Sequence, residues 1–146
     1  MSEPKHDNLH KELDLIQAVV SRLAQNSFLV KGWSITLVSI LLALGKDDLL
    51  TTAKQSWLLA LTLVIWLAFW CLDAYFLRQE RLFRKLYEHV VAHPDDPARP
   101  RYALHVGPFL NTVETEWKTM FSVTLRLFYG LPALLLFGLF GYFLFL

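Results

Sequence analysis

The chain has 146 residues, 55% of them hydrophobic and five of them Trp, with a mean hydropathy of +0.38. Fourteen Lys/Arg against thirteen Asp/Glu leave a net charge of +1, but the charges sit between the apolar blocks and almost never inside them. That segregation excludes an ordinary soluble bundle, and a single cysteine, Cys71, excludes an intrachain disulfide.

In chain order, residues 1–8 are polar and contain Pro4, so a frayed start is expected. Leu9, Leu13, Ile16, Val20 and Leu23 then recur at spacings of four and three, with Lys11, Asp14, Gln17, Ser21 and Gln25 on the other side. Residues 1–27 therefore read as an amphipathic helix that packs on another helix or on copies of itself. Because this polar stretch precedes any apolar block, no cleavable leader is expected.

A first membrane span is placed at 28–45, with Lys31 snorkelling from its start. Within it Gly32, Thr36, Ser39 and Ala43 fall on one face, which is how membrane helices come close to each other. Residues 46–56 form a polar turn, so the flanking helices are antiparallel neighbours. The second span, 57–77, carries one charge, Asp73, and opens with Trp57 at the interface. Ala60, Val64, Cys71 and Ala74 are assigned to one of its faces, and Trp66, Phe69, Trp70 and Phe76 to the opposite one.

No helix breaker separates Leu77 from the basic run that follows. There Leu82, Phe83, Leu86 and Val90 form an apolar stripe, with Glu80 and Arg84 spaced as an i,i+4 pair. His93-Pro94 ends that helix, and four prolines make 92–108 an extended linker. Asn111 with Glu114 resembles a capping box, from which Val113, Trp117, Met120 and Thr124 carry a helix into the last block. Residues 127–146 are uncharged and form the third span, with Pro132 as a source of a kink.

Orientation follows from the basic residues. Four lie in residues 1–31 and eight in 78–126, against two (Lys46 and Lys54) in the 46–56 turn. The N-terminus and 78–126 are thus expected in the cytoplasm, and the turn and C-terminus outside.

Chemistry is sparse. Asp73 is the ionisable residue deep in a span, and such a group needs a partner or a function. Counting from the span ends puts Lys31 at a similar depth, so an intramembrane ion pair is expected, Lys31 with Asp73 or Asp73 with Arg78. Two His pairs, His6/His10 and His89/His93, have i,i+4 spacing, but no metal site or cofactor is expected without further ligands. Arg84 and His89 match the loose spacing of one class of intracellular ribonucleases, a pattern too short to carry an activity. The chain has no phosphate loop, no CxxC and no nucleophile with an evident base, so an enzyme is not expected, nor is nucleic acid. Arg78, Arg81, Arg84 and Lys85 are read as a surface for anionic lipid or for a protein partner.

NSFLVKGWSITLVSILLAL (26–44) and FWCLDAYFLRQERLFRKLYEHV (69–90), preceded by Leu15-Ile16-Gln17, resemble an uncharacterised family of small bacterial multi-pass membrane proteins. The resemblance covers residues 9–90 well and the C-terminal third loosely. It implies an integral membrane protein of the bacterial inner membrane and carries no catalytic residues. The general build is similar, in architecture alone, to small membrane effectors of anti-phage systems. The reading is an all-α, homo-oligomeric integral membrane protein with three transmembrane helices and cytoplasmic amphipathic helices. Its expected role is a non-enzymatic pore-forming or membrane-perturbing effector, with a membrane adaptor that docks a partner through 78–126 as the alternative.

Overall fold

A computed structural model describes residues 3–45, 52–96 and 100–145. The described residues are all helix and loop, with no strand. Two long helices dominate, α1 (Glu3–Leu44) and α2 (Thr52–Ala92), of 42 and 41 residues. At 1.5 Å per residue each is about 60 Å long, roughly twice the hydrocarbon thickness of a bilayer. The chain then runs through a single 3-10 turn at Gly107–Phe109 to a short helix α3 (Glu116–Met120) and the one-turn α4 (Val123–Leu125). A π-helical segment, Arg126–Gly130, leads into α5 (Leu131–Phe145). Three helical stretches, Asp7–Leu44, Lys54–Ala92 and Val123–Tyr142, are long and apolar enough to cross a membrane.

The amphipathic stretch and the first span are thus one uninterrupted helix. Composition changes near residue 27, but LAQNSFLV contains neither glycine nor proline, and α1 runs through its Asn26 and Ser27 without a break. Most of the turn between α1 and α2 (46–51) lies outside the described residues, and α2 already begins at Thr52.

α1 and α2 pack side by side, and the molecule divides into two halves along them. In the polar half, the headpiece, Ile16 and Val20 of α1 are buried with Leu86 and Val90 of α2. The apolar stripe expected as a self-packing surface is therefore covered within the chain. Leu86 belongs to this internal core, and Leu82, at 0% exposure, is likewise buried within the chain, so neither is presented on a docking surface. The Pro-rich stretch is not a free linker: Leu104, Val106 and Phe109 turn back onto the same core. Tyr102 fastens it further, donating its N–H to Glu12 Oε1 (3.1 Å) and its hydroxyl to the carbonyl of Asn8 (3.1 Å).

In the apolar half, Trp66 and Trp70 of α2 are buried against Met120, Leu125, Tyr129, Ala133 and Leu136. Ala74 follows the two tryptophans at spacings of four and is buried with them, while Val64 and Cys71 are exposed, so the division of faces read from the sequence does not hold for Ala74. Residues 111–126 are not one helix either. No helix begins at Asn111, since residues 111–115 are turn and loop, and Glu114 is instead bonded by Arg81 at its carboxylate (3.0 Å) and by Arg78 at its carbonyl (3.1 Å). The helix starts only at Glu116 and breaks again at Phe121-Ser122.

Leu86→Ala leaves a void in the core of the headpiece and should cost about 2–5 kcal/mol. Thermal unfolding of the detergent-purified chain should show it, whereas Leu15→Ala on the exposed face should change little.

Candidate functional site

Among the described residues, a buried polar cluster in the apolar half lies where α1, α2 and the π segment meet. Helix period places Ser27, Lys31 and Ser34 on one face of α1, at spacings of four and three, and turns Asp73 of α2 toward them. Asp73 and Ser34 are fully buried, and Ser27 nearly so. Ser27 Oγ donates to Asp73 Oδ1 in a very short hydrogen bond. Lys31 Nζ stands 2.6 Å from Asp73 Oδ2 and donates to Ser27 Oγ at 2.9 Å. With three donors, the ammonium serves the Oδ2 of Asp73 as an ion pair and the Ser27 hydroxyl as a hydrogen bond together. The ammonium also lies 6.0 Å from the centroid of the Phe128 ring.

Tyr129 closes the cluster. Its ring is fully buried, stacked on Trp70 (6.0 Å, 10°) and tilted against Trp66 (5.2 Å, 57°). The hydroxyl lies beside Ser34 and Asp73. Ser34 Oγ spends its proton on the Lys31 carbonyl at 2.8 Å. A buried phenol beside a buried carboxylate needs such polar neighbours in an apolar setting.

The π segment sets this geometry. Pro132 has no N–H to give the preceding turn, so the helical ladder must change there. The Tyr129 carbonyl is taken by the indole N–H of Trp66 at 2.8 Å, and the Met120 carbonyl by that of Trp70 at 2.9 Å. Both tryptophans thus satisfy their one polar atom on backbone oxygens while filling the apolar seam. The sequence marks the site of the change through Pro132, but not that Tyr129 would be carried inward.

The other candidate residues lie elsewhere. Arg78 does not reach the cluster: it bonds the Glu114 carbonyl and pairs with Glu116 at 3.5 Å. Arg81 pairs with Glu114 (3.0 Å), Arg84 with Glu80 (2.7 Å) and Lys85 with Glu88 (2.7 Å). Each cation of the basic run therefore has a carboxylate of this chain beside it. Gly32, Thr36, Ser39 and Ala43 are all exposed on the side of α1 away from α2, and a Cβ at Gly32 would meet nothing within 4 Å. The His89 and His93 rings are 4.8 Å apart, but no group of three or more His, Cys, Asp or Glu able to hold a metal occurs among the described residues. The His6 side chain lies outside them. Arg84 and His89 do not converge, since Arg84 turns to Glu80 and His89 to Phe109, at 5.4 Å between ring centroids.

Compared with known protein families, curated proteins and solved structures, the chain matches none.

The cluster yields a direct test. Removing one partner of a buried pair costs about 3–5 kcal/mol because the other charge is left behind, and Lys31, at 23% exposure, places the cost at the low end. Lys31→Met and Asp73→Asn should each lower the unfolding temperature of the purified chain. The double variant should lose clearly less than the two losses added together. Strict additivity would show that the groups do not stabilise each other.

Proposed function

We propose that the protein is a non-enzymatic integral membrane effector of the bacterial inner membrane, closed at rest, whose seam of buried polar groups opens a path for ions when the helices separate. The observation that carries this reading is the cluster of Lys31, Asp73, Ser27, Ser34 and Tyr129 sealed between three membrane-length helices. Ionisable groups are costly inside a bilayer and face a bundle interior or a water-filled path. In one copy the cluster is walled off by Trp66, Trp70 and Tyr129, so conduction requires a rearrangement. Self-association supplies a route: the exposed small-residue face of α1 (Gly32, Thr36, Ser39 and Ala43) suits close approach of a second copy, and a widened seam would then be lined in part by the released polar groups.

In this reading the headpiece is cytoplasmic and the C-terminus outside, in keeping with the positive-inside count. Trp117, exposed at 72%, and Phe121 lie beside α3 at the level where the headpiece meets the apolar half, and they serve as interfacial anchors. The adaptor alternative draws less support. The apolar stripe on residues 82–90 is turned inward, and the basic run is matched by the chain's own acids.

Induction of the protein in bacterial cells, followed with a voltage-sensitive dye, should depolarise the membrane. Asp73→Asn, which releases Lys31, should do so at lower expression. Unchanged membrane potential in both cases, with fractionation showing inserted protein, would overturn the proposal.

A further inference from the structure

The basic side chains that the sequence offers as a lipid surface, Arg78 to Lys85, are each answered by a carboxylate of the chain. Two others near the junction with the headpiece are not. Lys118 and Arg126 are exposed, and neither has a hydrogen bond or ion pair among the described residues. Arg126 belongs to a stretch, Val123–Tyr142, long and apolar enough to cross a membrane, where a cation without a counter-charge is costly. Arg22 and Lys54 also stand without one, but they lie on the headpiece and at the opposite end of α2.

Packing brings these two cations to one patch. The Phe121 N–H still bonds back to the Trp117 carbonyl at 3.3 Å, so the turn of α3 reaches Phe121 and Lys118 stands three residues before it on the same side. The Phe121 ring meets the Trp70 indole edge-on, at 5.7 Å and 70°. The stem of Arg126 comes to the same indole from beyond the break. A Cβ built on Gly130 would meet Arg126 Cγ at 3.7 Å and Trp70 Cη2 at 3.8 Å. Lys118, Phe121 and Arg126 thus gather around Trp70 on one flank of α2. From there Leu127, Leu131 and Leu134 follow along the third span at spacings of four and three, all of them exposed.

The chemistry of the patch selects its occupant. The acids nearest in sequence are committed elsewhere, Glu114 to Arg81 at 3.0 Å and Glu116 to Arg78 at 3.5 Å. What remains is positive charge beside a bare apolar face, at the level where the headpiece meets the apolar half. A guanidinium forks onto phosphate oxygens and an ammonium adds a point charge, and both long stems can carry their charge up to the headgroups. A zwitterionic headgroup would bring its own cation to this patch, whereas one with phosphate alone would not. We propose that the patch binds one anionic phospholipid of the phosphatidylglycerol class. Its phosphate lies between the Lys118 ammonium and the Arg126 guanidinium, and an acyl chain runs along Leu127, Leu131 and Leu134. This rests on the membrane reading of the three long helices, but not on ion conduction.

The test follows thermal unfolding of the detergent-purified full chain against rising dioleoylphosphatidylglycerol. Dioleoylphosphatidylcholine probes the same acyl chains without net charge, and glycerophosphate probes the headgroup without acyl chains. Phosphatidylglycerol should raise the unfolding temperature saturably, and the other two should not. Lys118→Gln combined with Arg126→Gln should weaken the apparent affinity about tenfold or more while leaving the unfolding temperature without lipid unchanged. Arg84→Gln combined with Lys85→Gln, which removes the same charge from the paired run, should leave the affinity as it was. Equal shifts with phosphatidylcholine or glycerophosphate would overturn the proposal, as would an equal loss of affinity in the two double variants. Carbonate washing of membranes from expressing cells separates this proposal from the reading beneath it. A chain released by the wash overturns the membrane reading and this proposal with it, whereas a retained chain that shows no phosphatidylglycerol shift overturns this proposal alone.

Discussion

A carboxylate with no exposure, in the half of the molecule made of membrane-length apolar helices, is the constraint from which the rest follows. Asp73 could not be buried there alone, because the desolvation of an unpaired charge far exceeds what packing around it returns. α1 must therefore come close enough to bring Ser27 and Lys31, one turn apart, to the two carboxylate oxygens. That contact fixes the antiparallel register of the two long helices. The same register brings Ile16 and Val20 to the level of Leu86 and Val90, so the core of the headpiece and the charged cluster report a single alignment.

The third helix is held by different means. Two indoles in an apolar seam each need an acceptor, and a regular helix has few carbonyls to spare. The carbonyls used, at Tyr129 and Met120, lie where the helical ladder is disturbed: inside the π segment before Pro132 and next to the break after α3. The irregularities that look like defects in the last third of the chain are the points at which it is bonded to α2.

Much of this was legible in the sequence. Periodicity gave the apolar stripes at 9–23 and 82–90, and block lengths gave three helices of membrane length. Residue counting put Lys31 and Asp73 at one depth, and their charged groups stand 2.6 Å apart. What stayed hidden was of a different kind. A change of composition near residue 27 suggested a boundary, but no glycine or proline breaks the chain there, and α1 runs on with Ser27 turned to Asp73. Proline content suggested a spacer, while Leu104, Val106 and Phe109 within the same run bury themselves on the headpiece. The capping-box pattern at Asn111 is followed by turn and loop rather than helix, and Glu114 is bonded to two arginines of α2, tertiary contacts that no local motif records.

One feature of α2 has a mechanical side. From Thr52 to Ala92 it contains neither glycine nor proline, so nothing along it offers a point of bending. Asp73 sits close to its midpoint, with arms of roughly 30 Å on either side. Such a rod behaves as a lever whose fulcrum is the ionic contact with α1. A displacement of its headpiece end therefore reaches the core around Trp66 and Trp70 through the rod itself, with no glycine or proline between them to absorb it.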